Sequence, residues 1–181
     1  PPAQRGAPII FVTSEVAPWS KTGGLGDVCG ALPAALAKRG HAVLVVSPLY
    51  EPDDGLEEIG RCEFFLAHAN QEVRYWRKVR DGVTYVFCQH PALQRGGGGL
   101  IYGSSPGNPY PDNAFRFGVL SLAAIEAPLC VKWSELFFFG GEEGEKKRDA
   151  FHFTSAPVFV ANDWHGALTP VFLAARYQSV A

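Results

Sequence analysis

A glycine-rich segment at residues 21–28 carries the strongest chemical signal in the sequence. It reads Lys-Thr-Gly-Gly-Leu-Gly-Asp-Val and lies between an apolar run and a helical pattern. Glycines allow backbone N–H groups to approach a ligand, and the start of a helix offers partial positive charge. The segment therefore predicts an anion site, with a phosphate as the guest and Lys21 as its counter-charge. The alternative is a glycine-rich turn whose lysine is simply solvated.

Two common nucleotide-binding motifs do not fit this segment. A P-loop needs Gly-x-x-x-x-Gly-Lys-Ser/Thr, whereas here the Lys-Thr pair precedes the glycines. The dinucleotide motif Gly-x-Gly-x-x-Gly fails because Gly24 and Gly26 are followed by Cys29 where a third glycine would stand. The sequence excludes a Walker site and argues against an NAD-type Rossmann oxidoreductase, which is kept as the rival enzyme class.

A second candidate site follows the apolar run at 158–161. His165 comes shortly after this predicted strand, and open α/β sheets bind ligands at the carboxyl ends of their strands. We therefore predict that His165 faces the same crevice as Lys21, with a buried structural histidine as the alternative. Asp163 and Asp27 each stand at a predicted helix start, where an aspartate serves either as an N-cap or as a substrate contact.

A third group of polar residues opens another predicted helix. Asp112, Asn113 and Arg116 lie within one helical turn of each other. They form either a cap with a surface ion pair or a substrate-binding cluster.

The apolar patterns predict an α/β fold, with a Rossmann-like parallel sheet flanked by helices. Three short apolar runs have the composition of strands buried on both faces: 9–13, 43–46 and 158–161. Residues 27–39 predict a helix with Val28, Leu32 and Leu36 on its apolar face. Pro33 removes a hydrogen bond inside that helix, which predicts a kink or a restart there.

The middle of the chain predicts an antiparallel edge and a long loop. Residues 72–79 and 83–88 alternate polar and apolar types around Asp-Gly at 81–82, which is a hairpin signal. Residues 94–111 are rich in Gly, Ser, Pro and Asn and predict a loop without regular structure. A helix capped by Asp112 or Asn113 should follow and end near 127–128.

One domain accounts for most of the chain. We assign residues 1–8 to a linker remnant, 9–177 to the domain with an insertion near 131–155, and 178–181 to a truncated end. The last predicted helix lacks the strand that should follow it in such a fold. We therefore expect that the chain is part of a larger two-domain protein.

Composition excludes two classes of partner. The net charge of −2 leaves no basic stripe for nucleic acid, and no apolar run approaches the roughly 18 residues that cross a membrane. The four cysteines are far apart and predict reduced structural thiols rather than a metal site. They are Cys29, Cys62, Cys88 and Cys130.

Three blocks of residues stand out in the sequence: Ser-Glu-x-x-Pro-x-x-Lys-Thr-Gly-Gly-Leu-Gly-Asp-Val at 14–28, Tyr-x-Asp-Asn-x-x-Arg-Phe with Glu-Ala-Pro at 110–128, and Asn-Asp-Trp-His at 162–165. In their order and spacing, they resemble the catalytic region of starch synthases and bacterial-type glycogen synthases. The form of these blocks is more similar to plant and algal starch synthases, with the soluble and granule-bound classes both left open.

The resemblance implies the amino-terminal half of a retaining two-domain GT-B glycosyltransferase. Such an enzyme transfers glucose from ADP-glucose to the non-reducing end of an α-1,4-glucan in the plastid, without a metal or other cofactor. By the resemblance, Lys21 contacts the donor phosphates beside the amides of Gly23 and Gly24, and His165 contacts the donor sugar. Asp27 would face the glucosyl or acceptor hydroxyls.

The same resemblance makes four more residues substrate-binding candidates: Asp112, Asn113, Arg116 and Asp163. It also implies that this half alone is inactive, because the other half holds most of the donor. A noncatalytic glucan-binding protein of the same fold is the remaining alternative.

Overall fold

The computed structural model describes residues 7–137 and 156–177. Its strands are β1 (Ile9–Val12), β2 (Val43–Pro48), β3 (Glu57–Leu66), β4 (Ala69–Arg80), β5 (Val83–Gln89), β6 (Gly103–Ser105), β7 (Asn108–Pro109) and β8 (Val158–Ala161). Its helices are α1 (Gly24–Lys38), a 3₁₀ helix (Gln94–Gly99), α2 (Asn113–Cys130), α3 (Trp133–Leu136), α4 (Asp163–Gly166) and α5 (Leu168–Arg176). The predicted α/β class is confirmed.

Six of the strands form one mixed sheet in the order β3-β4-β5-β2-β1-β8. Strand β1 is parallel to both of its neighbours, so that Val12 lies opposite Val46 on one side and Ala161 on the other. From β1 the chain first moves to β2 and later reaches β8 on the opposite side. Loops leaving the carboxyl ends of β1 and β8 therefore diverge and leave a crevice, which is where ligands bind open α/β sheets.

The sheet has a core on each of its faces. Alternate residues of β1 point in opposite directions, so that Ile10 packs in the cluster that contains Phe117 and Leu120 of α2. Phe11 packs in the second cluster, with Cys29 of α1. Burial on both faces explains the continuous apolar runs at β1 and β2.

The antiparallel part of the sheet is larger than the sequence predicts. The predicted hairpin is confirmed, since β4 and β5 pair around 81–82. Strand β3 was not predicted, and it pairs with β4 over Glu57–Leu66 at the edge of the sheet. The sequence of β3 lacks a clear alternation of apolar and polar residues, because much of the strand is exposed and carries charged residues.

Helix α1 buries only part of the predicted face, since Leu36 packs against the core. Cys29 and Pro33 are buried, whereas Val28 and Leu32 are 52% and 43% exposed. The helix also runs continuously through Pro33 and does not restart there.

Two glycines explain this partial burial of α1. A Cβ atom on Gly30 would lie 2.8 Å from the carbonyl oxygen of Ala17, and one on Gly26 would lie 3.0 Å from that of Ser20. The turn that follows β1 therefore packs directly on the backbone of the helix at these two positions. This contact places Cys29, between the two glycines, toward the sheet.

Three further predictions need correction. Strand β8 is partly exposed rather than fully buried, because β1 is its only neighbour in the sheet that residues 7–137 and 156–177 form. The predicted loop at 94–111 holds the 3₁₀ helix and the β6–β7 hairpin. Helix α2 passes Pro128 and ends at Cys130, since burial of most of the helix outweighs the local cost of proline.

The insertion predicted at 131–155 lies mostly outside the described residues.

The four cysteines are free thiols, as predicted, and Cys130 is exposed while the other three are buried. None of the helices described is long and apolar enough to cross a membrane.

Candidate functional site

A buried carboxylate organises the loop after β1. Glu15 is 2% exposed and accepts hydrogen bonds from the backbone N–H of Thr22 at 2.6 Å and from its hydroxyl at 2.7 Å. The N–H of Gly23 donates to the same carboxylate at 3.3 Å, and the hydroxyl of Tyr102 donates to its other oxygen. The buried Glu15 side chain therefore anchors the glycine-rich segment through hydrogen bonds to Thr22 and Gly23.

The hydrogen bonds decide the charge of this carboxylate. Burial acts to raise the pKa of Glu15, but donation from Thr22, Tyr102 and Gly23 outweighs burial, so that the pKa is lowered. Burial and the bond to Glu15 raise the pKa of Tyr102, which keeps its hydroxyl protonated. An ionised acceptor and neutral donors thus form a stable arrangement at neutral pH.

The Lys21 side chain projects away from this buried support. It is 50% exposed, and its ammonium lies 2.7 Å from the carboxylate of Asp27, which is 59% exposed. Asp27 does not cap α1, since Gly23 occupies the N-cap position. Asp27 instead orients Lys21 at an open surface where an anion can reach the ammonium.

Gly23 and Gly24 leave the loop surface open. A Cβ atom at either position would meet no atom within 4 Å. The Gly23 amide already donates to Glu15, so Glu15 occupies part of the anion position predicted for a ligand. Gly24 begins α1, and the first N–H groups of a helix lack partners within the helix.

His165 lies in an aromatic enclosure. It is 3% exposed, with its ring stacked on Tyr102 at 4.4 Å between centroids and in edge contact with Phe117 at 4.9 Å. Neither ring nitrogen has a hydrogen-bond partner among the residues described. Burial lowers the pKa of His165 to about 4, although the charges of Asp163 and Glu15 act in the opposite direction. The imidazole is therefore neutral at pH 7 and keeps unused hydrogen-bonding capacity.

Tyr102 connects the two predicted parts of the site. Its hydroxyl also contacts that of Ser14 at 2.9 Å, and its ring covers His165. The structure thus brings the Lys21 loop and His165 to two sides of one tyrosine. Neither Glu15 nor Tyr102 was predicted as a site residue. A charged residue two positions after the predicted strand at 9–13, and an aromatic residue within a glycine-rich segment, were the available signals.

The residues at the start of α2 turn inward. Arg116 is fully buried, and its guanidinium donates to the carbonyls of Ala92 and Ile101 at 2.8 Å and to the side-chain oxygen of Asn113 at 2.7 Å. Asn113 in turn donates to the carbonyl of Tyr102 at 2.8 Å. Arg116 and Asn113 therefore hold the segment that carries Tyr102, while direct contact of either residue with substrate stays a prediction.

Asp112 forms the surface ion pair that the sequence offered as an alternative. Its carboxylate pairs with Arg95 rather than with Arg116, and it makes no side-chain cap at α2. This pair joins the helix start to the 3₁₀ helix.

Asp163 is not the N-cap of the helix that follows β8, although the sequence offered that role for it. Asn162 occupies the N-cap position of α4, and its amide donates to the carbonyl of Val12 at 3.2 Å. Asp163 has a positive φ of 58° and accepts a 2.6 Å hydrogen bond from the N–H of Trp164. Asn162 thus ties β8 to β1, and Asp163 shapes the turn that presents His165. Its substrate contact stays a prediction.

A cleft of about 370 Å³ opens beside this site. Thr22 and Tyr102 form part of its wall, and the β6–β7 hairpin forms much of the remainder. Across 7–137 and 156–177, no group of three or more His, Cys, Asp or Glu residues is placed to hold a metal ion.

Comparison with known proteins matches this chain to one family. A family model described as "Starch synthase catalytic domain" matches residues 8–181. Granule-bound starch synthase 1 of Ipomoea batatas is 40% identical over 97% of this chain and 28% of its own length. Soluble starch synthase 1 of Solanum tuberosum is 44% identical over 94% of this chain and 25% of its own length. The chain thus spans about a quarter of the length of these curated relatives.

A solved structure has the same fold. The catalytic domain of starch synthase IV from Arabidopsis thaliana, bound to ADP and acarbose, superimposes with a TM-score of 0.69 at 24% identity. The match covers 95% of this chain and 31% of that structure. With the family model matching nearly its whole length, the chain belongs to the starch synthase catalytic domain family.

Proposed function

We propose that this chain forms the acceptor-side wall of a retaining starch synthase. The reaction is transfer of glucose from ADP-glucose to the non-reducing end of an α-1,4-glucan. One observation carries the proposal beyond the family match. The buried Glu15 holds a loop that presents the exposed Lys21, and Tyr102 joins that loop to a neutral, buried His165.

Each of these groups has a distinct role in the proposed reaction. Negative charge grows on ADP as the glucosyl bond breaks, so the Lys21 ammonium stabilises the transition state more than the ground state. Asp27 positions that ammonium. His165 is neutral, and both of its ring nitrogens are buried, so its proposed hydrogen bond to a sugar hydroxyl requires the covering Tyr102 ring to move aside. Catalysis in this proposal consists of positioning and electrostatics, with no metal or organic cofactor.

The rest of the active site is proposed to come from a second GT-B domain. The chain spans 28% of the granule-bound relative from Ipomoea batatas, which leaves room for such a domain in a protein of that length. We propose that this domain supplies most contacts to ADP-glucose. Residues 1–181 alone should therefore bind donor poorly and show no synthase activity.

The proposed location is the plastid. Curated relatives of both the granule-bound and the soluble class are named chloroplastic/amyloplastic. Their identities of 40% and 44% do not favour either class, so starch-granule association is left open in the proposal.

Incorporation of labelled glucose tests the proposal. The natural polypeptide that carries this sequence, called the full-length protein below, is incubated with glycogen and ADP-[¹⁴C]glucose. We expect incorporation by the full-length protein and none above a no-protein blank by residues 1–181. Failure of the full-length protein to transfer glucose would contradict the proposal. Binding of NAD without binding of ADP-glucose would favour the oxidoreductase alternative.

A further inference from the structure

Cys62 and Cys130 lie together where the edge of the sheet meets the end of α2. Alternate residues of a strand share a face, so Gly60 and Cys62 both lie on the side of β3 that packs on α2. A Cβ atom on Gly60 would lie 3.3 Å from Cγ2 of Val131, the residue that follows Cys130. The two thiols are close enough that each affects the pKa of the other.

Tyr75 fixes the position of Cys62 against the helix. Its hydroxyl donates to the carbonyl of Ala123 at 2.8 Å and lies 2.8 Å from the sulfur of Cys62. Ala123 precedes Cys130 by about two helical turns, so both residues lie on one face of α2. Side chains of a helix lean toward its N-terminus, which brings the Cys130 thiol back toward Cys62. The two sulfurs thus lie on facing surfaces of β3 and α2.

The two thiols differ in their access to solvent. Cys130 is exposed, whereas Cys62 is 6% exposed, and both are free thiols in this structure. A dissolved oxidant therefore reaches Cys130 first. Cys62 lies beneath it and can attack the modified sulfur in a second step, which is the order that thiol–disulfide exchange requires.

We propose that Cys62 and Cys130 are a reversible disulfide site that links the edge strand β3 to α2. The reactant is a low-molecular-weight disulfide such as oxidised glutathione. The Cys130 thiolate attacks one sulfur of that disulfide and releases one glutathione. The Cys62 thiolate then attacks the Cys130 sulfur and releases the second. Two protein thiols are oxidised, one glutathione disulfide is reduced, and the two protein protons end on glutathione. The inference does not depend on the proposed function.

The surroundings of the pair set how fast the bond forms and how long it persists. Burial raises the pKa of both thiols, and the Glu126 carboxylate raises both further. Thiolate is therefore scarce at pH 7, and formation should accelerate as the pH rises. The bond should also resist reduction, because the reduced pair is not stabilised as thiolates. The titratable groups around the pair are Tyr75, Cys88, Glu126 and Tyr177.

The position of the bond predicts an effect on stability rather than on turnover. It would close the long loop 62–130, which includes β4, β5 and the segment that carries Tyr102. Closing a long loop restricts the unfolded chain strongly, so the folded state gains stability. The helix residue nearest the candidate site is Asn113, at the opposite end of α2 and about 25 Å along its axis.

Oxidation of the full-length protein tests the inference. The protein is treated with oxidised glutathione at pH 7.0 and pH 8.5, remaining thiols are alkylated, and tryptic peptides are analysed by mass spectrometry. We expect peptide 62–74 linked to peptide 117–132, with faster formation at pH 8.5 and complete release by dithiothreitol. The unfolding temperature of the domain should rise by roughly 5 °C on oxidation, with turnover unchanged within twofold.

Two variants serve as the comparison. Cys130→Ser replaces an exposed residue and should abolish both the linked peptide and the rise in unfolding temperature. Cys29→Ala should retain both, because Cys29 is buried in the cluster on the opposite face of the sheet.

The outcomes separate this inference from the proposed function. Glutathione retained on Cys130 without the linked peptide, or a bond between Cys62 and Cys88 instead, would overturn the assignment. The absence of any linked peptide at pH 8.5 would overturn it as well. If the full-length protein transfers no glucose, the proposed function fails, while the linked peptide would still establish the disulfide site.

Discussion

Two regions of this molecule both carry motifs of the family but have different surroundings. The segment 21–24 presents Lys21 and two open glycines at the surface, above a buried carboxylate. The segment 112–116 turns Arg116 fully inward, where it binds main-chain carbonyls. The first region therefore has the exposure required for chemistry, and the second has the burial typical of a positioning role. A family motif identifies both regions without telling these roles apart.

The largest effect we expect is loss of stability in Arg116→Met. This change leaves the carbonyls of Ala92 and Ile101 and the Asn113 side chain without their buried donor. Leaving such groups unsatisfied should lower the free energy of unfolding by about 4 kcal/mol. Chemical denaturation measures the loss. A stable variant with strongly reduced turnover would instead indicate that Arg116 contacts substrate.

Lys21→Ala should have the opposite effect, with a loss of turnover and almost no loss of stability. We expect turnover of the full-length protein to fall on the order of a hundredfold, because one preorganised charge contact contributes about 3 kcal/mol at such a site. Stability should hardly change, since the lysine is half exposed and its ion pair with Asp27 is at the surface. Steady-state kinetics at saturating glucan, together with thermal unfolding, test both statements. Turnover within twofold of the unaltered protein would remove Lys21 from the catalytic contacts.

Lys21→Arg sharpens this test. The guanidinium keeps the charge but spreads it over a larger plane, so we expect only part of the lost turnover to return.

Glu15→Gln should lower both stability and turnover. The amide keeps the shape of the carboxylate but replaces one acceptor oxygen with a donor, which faces either the N–H groups of Thr22 and Gly23 or the hydroxyls of Thr22 and Tyr102. We expect a loss of about 2 kcal/mol in stability and a reduced turnover, because the Lys21 loop loses its support. Denaturation and kinetics on the same preparation measure both. A drop in stability with unchanged turnover would show that the loop keeps its geometry without Glu15.

A pH dependence that comes from His165 is expected to be similar in size to the effect of Glu15→Gln on stability. Its pKa of about 4 in the folded protein lies below the value of the unfolded chain, near 6.5. The unfolded state therefore binds a proton first as the pH falls, so stability is lost between about pH 6.5 and pH 4. We expect His165→Gln to reduce this loss by roughly 2 kcal/mol. Denaturation at pH 7 and pH 4.5 gives the difference, and an equal pH dependence in both proteins would show that His165 does not titrate in this way.

Much of the fold follows from local patterns. The apolar runs at β1 and β2 and the hairpin around 81–82 are visible in the sequence because buried parallel strands and tight turns have distinctive compositions. Strand β3 was missed because its exposed face is charged. The buried face of α1 was predicted only in part, because apolar spacing does not reveal the close packing at Gly26 and Gly30.

The sequence by itself determined the α/β class, the family and the identity of the loop that carries Lys21, because these depend on residue types that lie near one another in the chain. Only the tertiary structure decided which polar residues are exposed for chemistry and which are buried. Glu15 and Tyr102 are 87 residues apart in sequence, yet their hydrogen bond joins the Lys21 loop to the ring that covers His165. Such a contact depends on the order of the strands and the path of the segment between them, which no local pattern specifies.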